Sequence, residues 1–238
     1  MSARIGLGRS GVSMPTSRLL AMAADLALAR DAVRASFNAE HIAADLRTAA
    51  IESVIVSTAA HDREDYLRRP DHGRVLSQES ARELASMTMG ADLALIVSDG
   101  LSATAANRHA VSLLRALLAD LSVSVAPVVI APLARVGLLN DVGAALGTRS
   151  AAIVLGERPG SSAPDSLSLY FEMSPTSGLT DADRNCISNI RPGGLPVEIA
   201  ALQAAALIQG GLRAGISGTG LKLEYDDHRE VGPVTGID

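Results

Sequence analysis

Aromatic residues are nearly missing from this 238-residue chain, which has Phe 2, Tyr 3 and Trp 0. Single-stranded nucleic acid is gripped on stacked rings, and a formal charge of −5 provides no basic patch for a phosphate backbone. A nucleic-acid partner is therefore not expected. The single cysteine, Cys186, excludes an internal disulfide framework and suits a reducing cytoplasm. No apolar run reaches the ~18 residues of a membrane span, and the opening "MSARIGLGRSGVSMPTSR" lacks the apolar segment of a secretory signal. A membrane location is not expected either.

What the chain does contain is aliphatic. Residues are 47% hydrophobic and 20% charged, with Ala, Leu, Val and Ile carrying the apolarity, which is enough for one sizeable core. Spacing predicts an amphipathic helix over 17–37, with Leu19, Met22, Leu26, Ala29, Val33 and Phe37 in a stripe and Thr16 or Ser17 as its cap. A strand follows over 51–58, then the charged loop "AHDREDYLRRPDHGR" (60–74) and a short helix over 79–89. From there the order is regular: strand 92–98, helix 103–119, strand 125–131, a helix near 139–146, strand 150–156. Near-continuous apolar strands alternating with helices predict an α/β fold with an open, mostly parallel sheet covered on both faces. "SLSLYFEM" (166–173) alternates like an edge strand, "RNCISNIRPGGLP" (184–196) reads as an ordered loop, and 197–209 as a last helix. The expected organisation is an arm and small helical segment over 1–50, an α/β domain over 51–223 and a disordered polar tail over 224–238.

Loops leaving the carboxyl ends of parallel strands share one rim, where ligands bind. Asp99–Ala103, Pro132–Val136 and Glu157–Gly160 are such loops, so one composite site is expected there. "VLGERPG" (154–160) ends a buried strand on a carboxylate and a guanidinium, stiffened by Pro159 and Gly160. A surface pair of Glu157 and Arg158 competes with a ligand contact as its explanation. "SDGLSAT" (98–104) reads as a turn with Ser102 as helix cap, or as a helix N-terminus offered to a polar ligand. No G-x-S-x-G surrounds Ser102, which argues against a serine hydrolase. "GLGRSG" matches the dinucleotide fingerprint, but only five residues precede it and Pro15 interrupts the run to the next helix. It reads better as a flexible arm. The five histidines lack metal-ligand spacing, and Arg68, Arg69 and Arg74 form either a solvated loop or a contact for an anionic surface. Cys186, among Asn185, Ser188 and Asn189 with no activating histidine nearby, reads as a contact residue rather than a nucleophile.

Together "RIGLGRSG", "DREDYLRRPDHGR", "VSDGLSATA", "LARVG", "IVLGERPGSSAPDSLSLY", "DRNCISNIRPGGLP" and "SGTGLKL", spanning about residues 3–223, resemble the small (light) subunit of adenosylcobalamin-dependent ethanolamine ammonia-lyase. The resemblance implies a Rossmann-like subunit capping the cofactor on a larger barrel subunit, which holds ethanolamine and the main catalytic groups. It implies radical conversion of ethanolamine to acetaldehyde and ammonia, begun by homolysis of the Co–C bond. By motif, the family's cobalamin contacts fall on Val136, Glu157 and Cys186. No D-x-H-x-x-G occurs, so the cofactor is expected to keep its own benzimidazole base on cobalt. The expected compartment is the cytoplasm, with a bacterial microcompartment as the alternative. Because the chain starts almost directly at the arm, encapsulation through an N-terminal extension is not expected. Two other readings stay open: an independent Rossmann-like enzyme for a small polar substrate using Asp99 and Glu157, and a non-catalytic interaction module.

Overall fold

The computed structural model describes residues 14–87, 90–160, 163–176, 178–221, 223–225 and 231–233. Its centre is a six-stranded sheet of order β1-β3-β2-β4-β5-β6. The strands are β1 (Ser53–Ile55), β2 (Leu93–Ser98), β3 (Val128–Ile130), β4 (Ser150–Gly156), β5 (Leu167–Met173) and β6 (Arg184–Ile190). β1, β3, β2 and β4 pair in parallel, whereas β5 is antiparallel to both β4 and β6. Only β5 therefore runs against the rest, and β6 again points the same way as β4. The sheet is mostly parallel but mixed.

Strand alternation divides the core into two layers. Leu93, Leu95, Val97, Ala152, Val154, Leu169 and Phe171 face helices α2 (Ala39–Thr48), α5 (Ala103–Asp120) and α7 (Val197–Ala214). Ala94, Ile96, Val129, Ala151 and Ile153 face α4 (Gln78–Ala85) and α6 (Leu138–Leu146). The second layer stops short of the sheet edge. Among the described residues, Tyr170 is the one β5 side chain packed at its margin, and no β6 side chain belongs to it. No helix among the described residues packs apolar side chains across that face of β6.

Three expectations change. Segment 166–173 is an inner strand, and the edge is β6, expected to be a loop. Its alternation is broken by a bulge: Leu169 pairs with Ile187 but Leu167 pairs with Ile190, and Asn189 takes φ +58, which Asn tolerates better than most residues. The first helix, α1 (Thr16–Arg34), begins after Pro15 without a side-chain cap, and its predicted stripe is not buried. Leu19, Met22 and Leu26 are exposed, as are Leu20 and Leu28 on other sides, and Ala32 is its one buried residue. Phe37 lies beyond the helix and packs on the first layer. The sequence reading also missed α2, which Asn38 caps by accepting the His41 N–H. The glycine arm at 6–11 lies outside the described residues, as does most of the tail, where 223–225 and 231–233 pair antiparallel.

Candidate functional site at the strand-end rim

The carboxyl ends of β2, β3, β4 and β6 and the start of β5 meet at one rim. A cleft of about 420 Å³ opens there, lined by Gly100 and Leu101 after β2, Ala134 to Val136 after β3, Glu157 and Arg158 after β4, Ser168 and Tyr170 on β5, and Tyr66. The chain reverses its progress across the sheet after β3, stepping back past β2 to β4, which is where open α/β sheets hold ligands. A second cleft of about 630 Å³ adjoins it and shares Arg135 and Val136 in its wall.

Two loops of the rim are fastened by Asp99. Its Oδ1 accepts the Leu133 N–H at 2.7 Å and the Ser98 hydroxyl at 3.0 Å, while Oδ2 pairs with Arg63 Nη1 at 2.8 Å. Burial pushes the Asp99 carboxyl up, against the pull of Arg63 and the Leu133 amide. These bonds hold Leu133 at φ +60, a strained backbone for a residue with a Cβ and one that surrounding contacts must over-determine. Arg63 also donates to Gly100 O at 2.8 Å and, through Nε, to Val33 O at the end of α1 at 3.0 Å. With both oxygens occupied, Asp99 does not line the cleft. That removes one carboxylate from the alternative of an independent enzyme. Ser102 is likewise engaged: its Oγ accepts the Ala105 N–H as the α5 cap and donates to Pro164 O at 2.8 Å.

Glu157 differs. Its Oε1 accepts the Ser168 hydroxyl at 2.5 Å and the Asn189 N–H at 3.1 Å. The β6 bulge aims that amide, and Oε2 has no protein partner among the described residues. The carboxylate is therefore oriented yet still able to accept. Gly156 brings β4 against the loop after β2: Leu101 N–H donates to Gly156 O at 2.9 Å, and a Cβ at Gly156 would lie 2.1 Å from Ser102 O.

Cys186 sits opposite Tyr170 in the β5–β6 register, on the same sheet face, and is exposed. It lies on the strand ladder, not in a loop, and beside the cleft rather than in its wall. Packing around its sulfur pushes the Cys186 thiol up, and burial pushes Tyr170 to about 12, helped by Cys186 and Glu157. Both stay protonated at neutral pH. On the same face Glu172 and Arg184 pair at 2.6 Å, with side chains 0% and 6% exposed.

The sequence reading brought Val136 and Glu157 to this rim. It placed Arg135 in a rim loop without giving it a role, and it missed Tyr66, Ser168 and Tyr170. The alternation of "SLSLY" carried a signal for two of them, since it places Ser166, Ser168 and Tyr170 on one strand face. Tyr66 lay within a charged run and is wholly buried. In that run Arg68 and Arg69 make surface pairs with Glu64 and Asp71, whereas Arg74 lines the second cleft. Among the described residues no cluster of three His, Cys, Asp or Glu could hold a metal, and no helix is long and apolar enough to cross a membrane.

Comparison with known proteins bears on the whole of this geometry. Residues 1–222 match the model of the ethanolamine ammonia-lyase light chain family. The chain is 46% identical over 230 residues to the ethanolamine ammonia-lyase small subunit of Bradyrhizobium diazoefficiens, covering 94% of this chain and 88% of that one. It is 44% identical over 241 residues to the small subunit of Azotobacter vinelandii, covering 98% and 89%. The Pseudomonas syringae pv. tomato small subunit is 44% identical over 242 residues, covering 96% and 84%. A match of this extent leaves no segment of the α/β core outside it, and the chain belongs to the ethanolamine ammonia-lyase light chain family.

Proposed function

We propose that this chain is the small subunit of an adenosylcobalamin-dependent ethanolamine ammonia-lyase, and that its rim cleft holds part of the cofactor against a large subunit. The observation that carries the reading is Glu157: a carboxylate in the wall of the cleft, with one oxygen fixed by Ser168 and Asn189 and the other open. The residues present fit a corrinoid, whose periphery is rich in amide donors. Glu157 accepts from such a donor, Val136 gives apolar contact, and neutral Cys186 and Tyr170 meet the cofactor from the β5–β6 face beside the cleft. The two adjoining clefts hold about 420 and 630 Å³, while a corrinoid is far larger than the drug-sized molecules that a pocket of about 300–1,000 Å³ encloses. This chain therefore supplies one wall, and a second protein surface must supply the rest and exclude water.

When bound, the cofactor supplies the radical chemistry that converts ethanolamine to acetaldehyde and ammonia. This chain's residues bind and orient it, and none is assigned to the chemical step. The absence of a D-x-H-x-x-G motif supports retention of the cofactor's own benzimidazole on cobalt. The α/β domain supports a Rossmann-like reading of the capping fold. The partner surface includes α1, on which Leu19, Leu20, Met22, Leu26 and Leu28 are exposed.

The test is reconstitution. Acetaldehyde should form only when this chain, a large subunit and adenosylcobalamin are all present, and the resting complex should show the spectrum of a base-on cobalamin. Turnover by the isolated chain without cobalamin would refute the reading, and histidine coordination would refute the base assignment.

A further inference from the structure

Arg135 is the cationic side chain common to both clefts. It is built in with care. Its guanidinium carbon lies 4.0 Å from the centre of the Tyr66 ring, and Nη2 donates to Tyr66 O at 2.9 Å. Its backbone N–H donates to Gly73 O at 2.7 Å. Gly73 leaves the side chain its room, since a Cβ there would fall 2.9 Å from Arg135 Cγ.

Its charge, however, is not answered. Nε is buried with no acceptor, and no carboxylate among the described residues pairs with the guanidinium. Its neighbours are different: Arg63 has Asp99 at 2.8 Å and Arg184 has Glu172 at 2.6 Å. Two acids do line the second cleft. Asp141 is taken by the Leu76 N–H, and Asp181 by Arg184 at 3.0 Å. Arg158 and Arg74 add further positive charge to the two walls. A partly enclosed cation with unmatched donors is costly to hold without a counter-charge. A guanidinium fork is also the side chain best shaped for an oxyanion.

We propose that Arg135 binds an oxyanion, and that on the functional reading above this is the cofactor's phosphodiester. In cobalamin the ring periphery carries neutral amides, and the phosphodiester bearing the lower base is its anionic oxygen group. Arg135 would then set how the nucleotide arm is held, and Glu157 how the amide periphery is held.

Equilibrium dialysis of the two-subunit complex with cyanocobalamin and with dicyanocobinamide, which lacks the phosphodiester and base, separates the possibilities. Arg135→Gln should weaken cyanocobalamin binding roughly tenfold to a hundredfold, the range for a charge-assisted hydrogen bond. It should leave cobinamide affinity and subunit association as in the wild type. Arg135→Lys, which keeps the charge but loses the fork, should fall between, and serves if the glutamine variant does not fold. An equal loss for both corrinoids, or no loss, would overturn the proposal. So would weakened subunit association with unchanged corrinoid binding, because the partner would then supply the anion. A wild-type complex that binds neither corrinoid would instead bring down the functional reading itself.

Discussion

Ser168 Oγ donates to Glu157 Oε1 across 2.5 Å, joining the start of β5 to the first residue past β4. The bond forms because β5 doubles back antiparallel on β4, with Gly156 facing Leu167 and Leu155 facing Ser168. It fixes the carboxylate without using Oε2. Ser168→Ala should leave the fold intact and weaken cyanocobalamin binding by the complex about threefold to tenfold, the share of one hydrogen bond. Glu157→Ala should cost more. Unchanged affinity in both variants, measured by dialysis, would mean the carboxylate does not touch the cofactor.

Asp99 plays the opposite part, because its bonds are all internal. With Asp99 4% and Arg63 23% exposed in their side chains, Asp99→Ala strands a largely buried guanidinium and frees the strained turn at Leu133. A stability loss of about 3–5 kcal/mol is expected in urea unfolding, as for breaking other buried pairs. Asp99→Asn should lose less, because the amide oxygen can still accept from Leu133. A stable Asp99→Ala protein without activity would contradict this assignment and point to chemistry at the carboxylate.

Gly156→Ala tests how closely β4 must approach the turn after β2. The added Cβ would meet Ser102 O at 2.1 Å and Asp99 O at 2.4 Å, both backbone atoms. Overpacking of this kind costs about 1–3 kcal/mol, and the displacement falls beside Glu157. Thermal midpoint and corrinoid affinity should therefore drop together.

Alkaline pH should unfold the protein through Tyr66. Burial raises its phenol to about 12, with Arg135 and Arg63 pulling the other way. The unfolded chain ionises this group first, near pH 10, so there the folded state binds more protons. The contribution is complete below that pH and falls by about 1.4 kcal/mol per pH unit as pH rises toward the folded value. Urea midpoints across pH 9–12 should show this decline, and Tyr66→Phe should flatten it.

Cys186 should be a slow thiol despite its exposure. Packing holds its pKa above the ordinary value, so little thiolate is present at neutral pH. Iodoacetamide should modify the isolated chain more slowly than free cysteine at pH 7.5. The rate should climb with pH beyond the ordinary thiol range, and bound cyanocobalamin should slow it in the complex. Fast labelling at pH 7.5 would show that the thiolate is stabilised instead.

Local chemistry marked most of the elements. Ser150–Gly156 was legible to the residue because a buried parallel strand is apolar throughout, and helix α5 because its apolar positions recur at helical spacing above a serine cap. β6 was not legible: its bulge at Ser188 and Asn189 breaks the period that marks a strand. The stripe on α1 was legible as a helix but misleading as to burial, since periodicity says which residues share a face and not what covers it.

Sequence alone determined the α/β class, the strand-end loops and, through shared motifs, the family, and it put forward Val136, Glu157 and Cys186 as proposed cofactor contacts. Tertiary structure decided which of two similar carboxylates is available. Asp99 is saturated by partners 34 and 36 residues away, and Glu157 is steered by an amide 32 residues away and a hydroxyl 11 residues away, both on one oxygen, with no further partner among the described residues. It also decided that no carboxylate among the described residues pairs with Arg135. Such facts depend on long-range pairing of strands and loops, and hydrogen-bond satisfaction is a property of the assembled core rather than of any local run of residues.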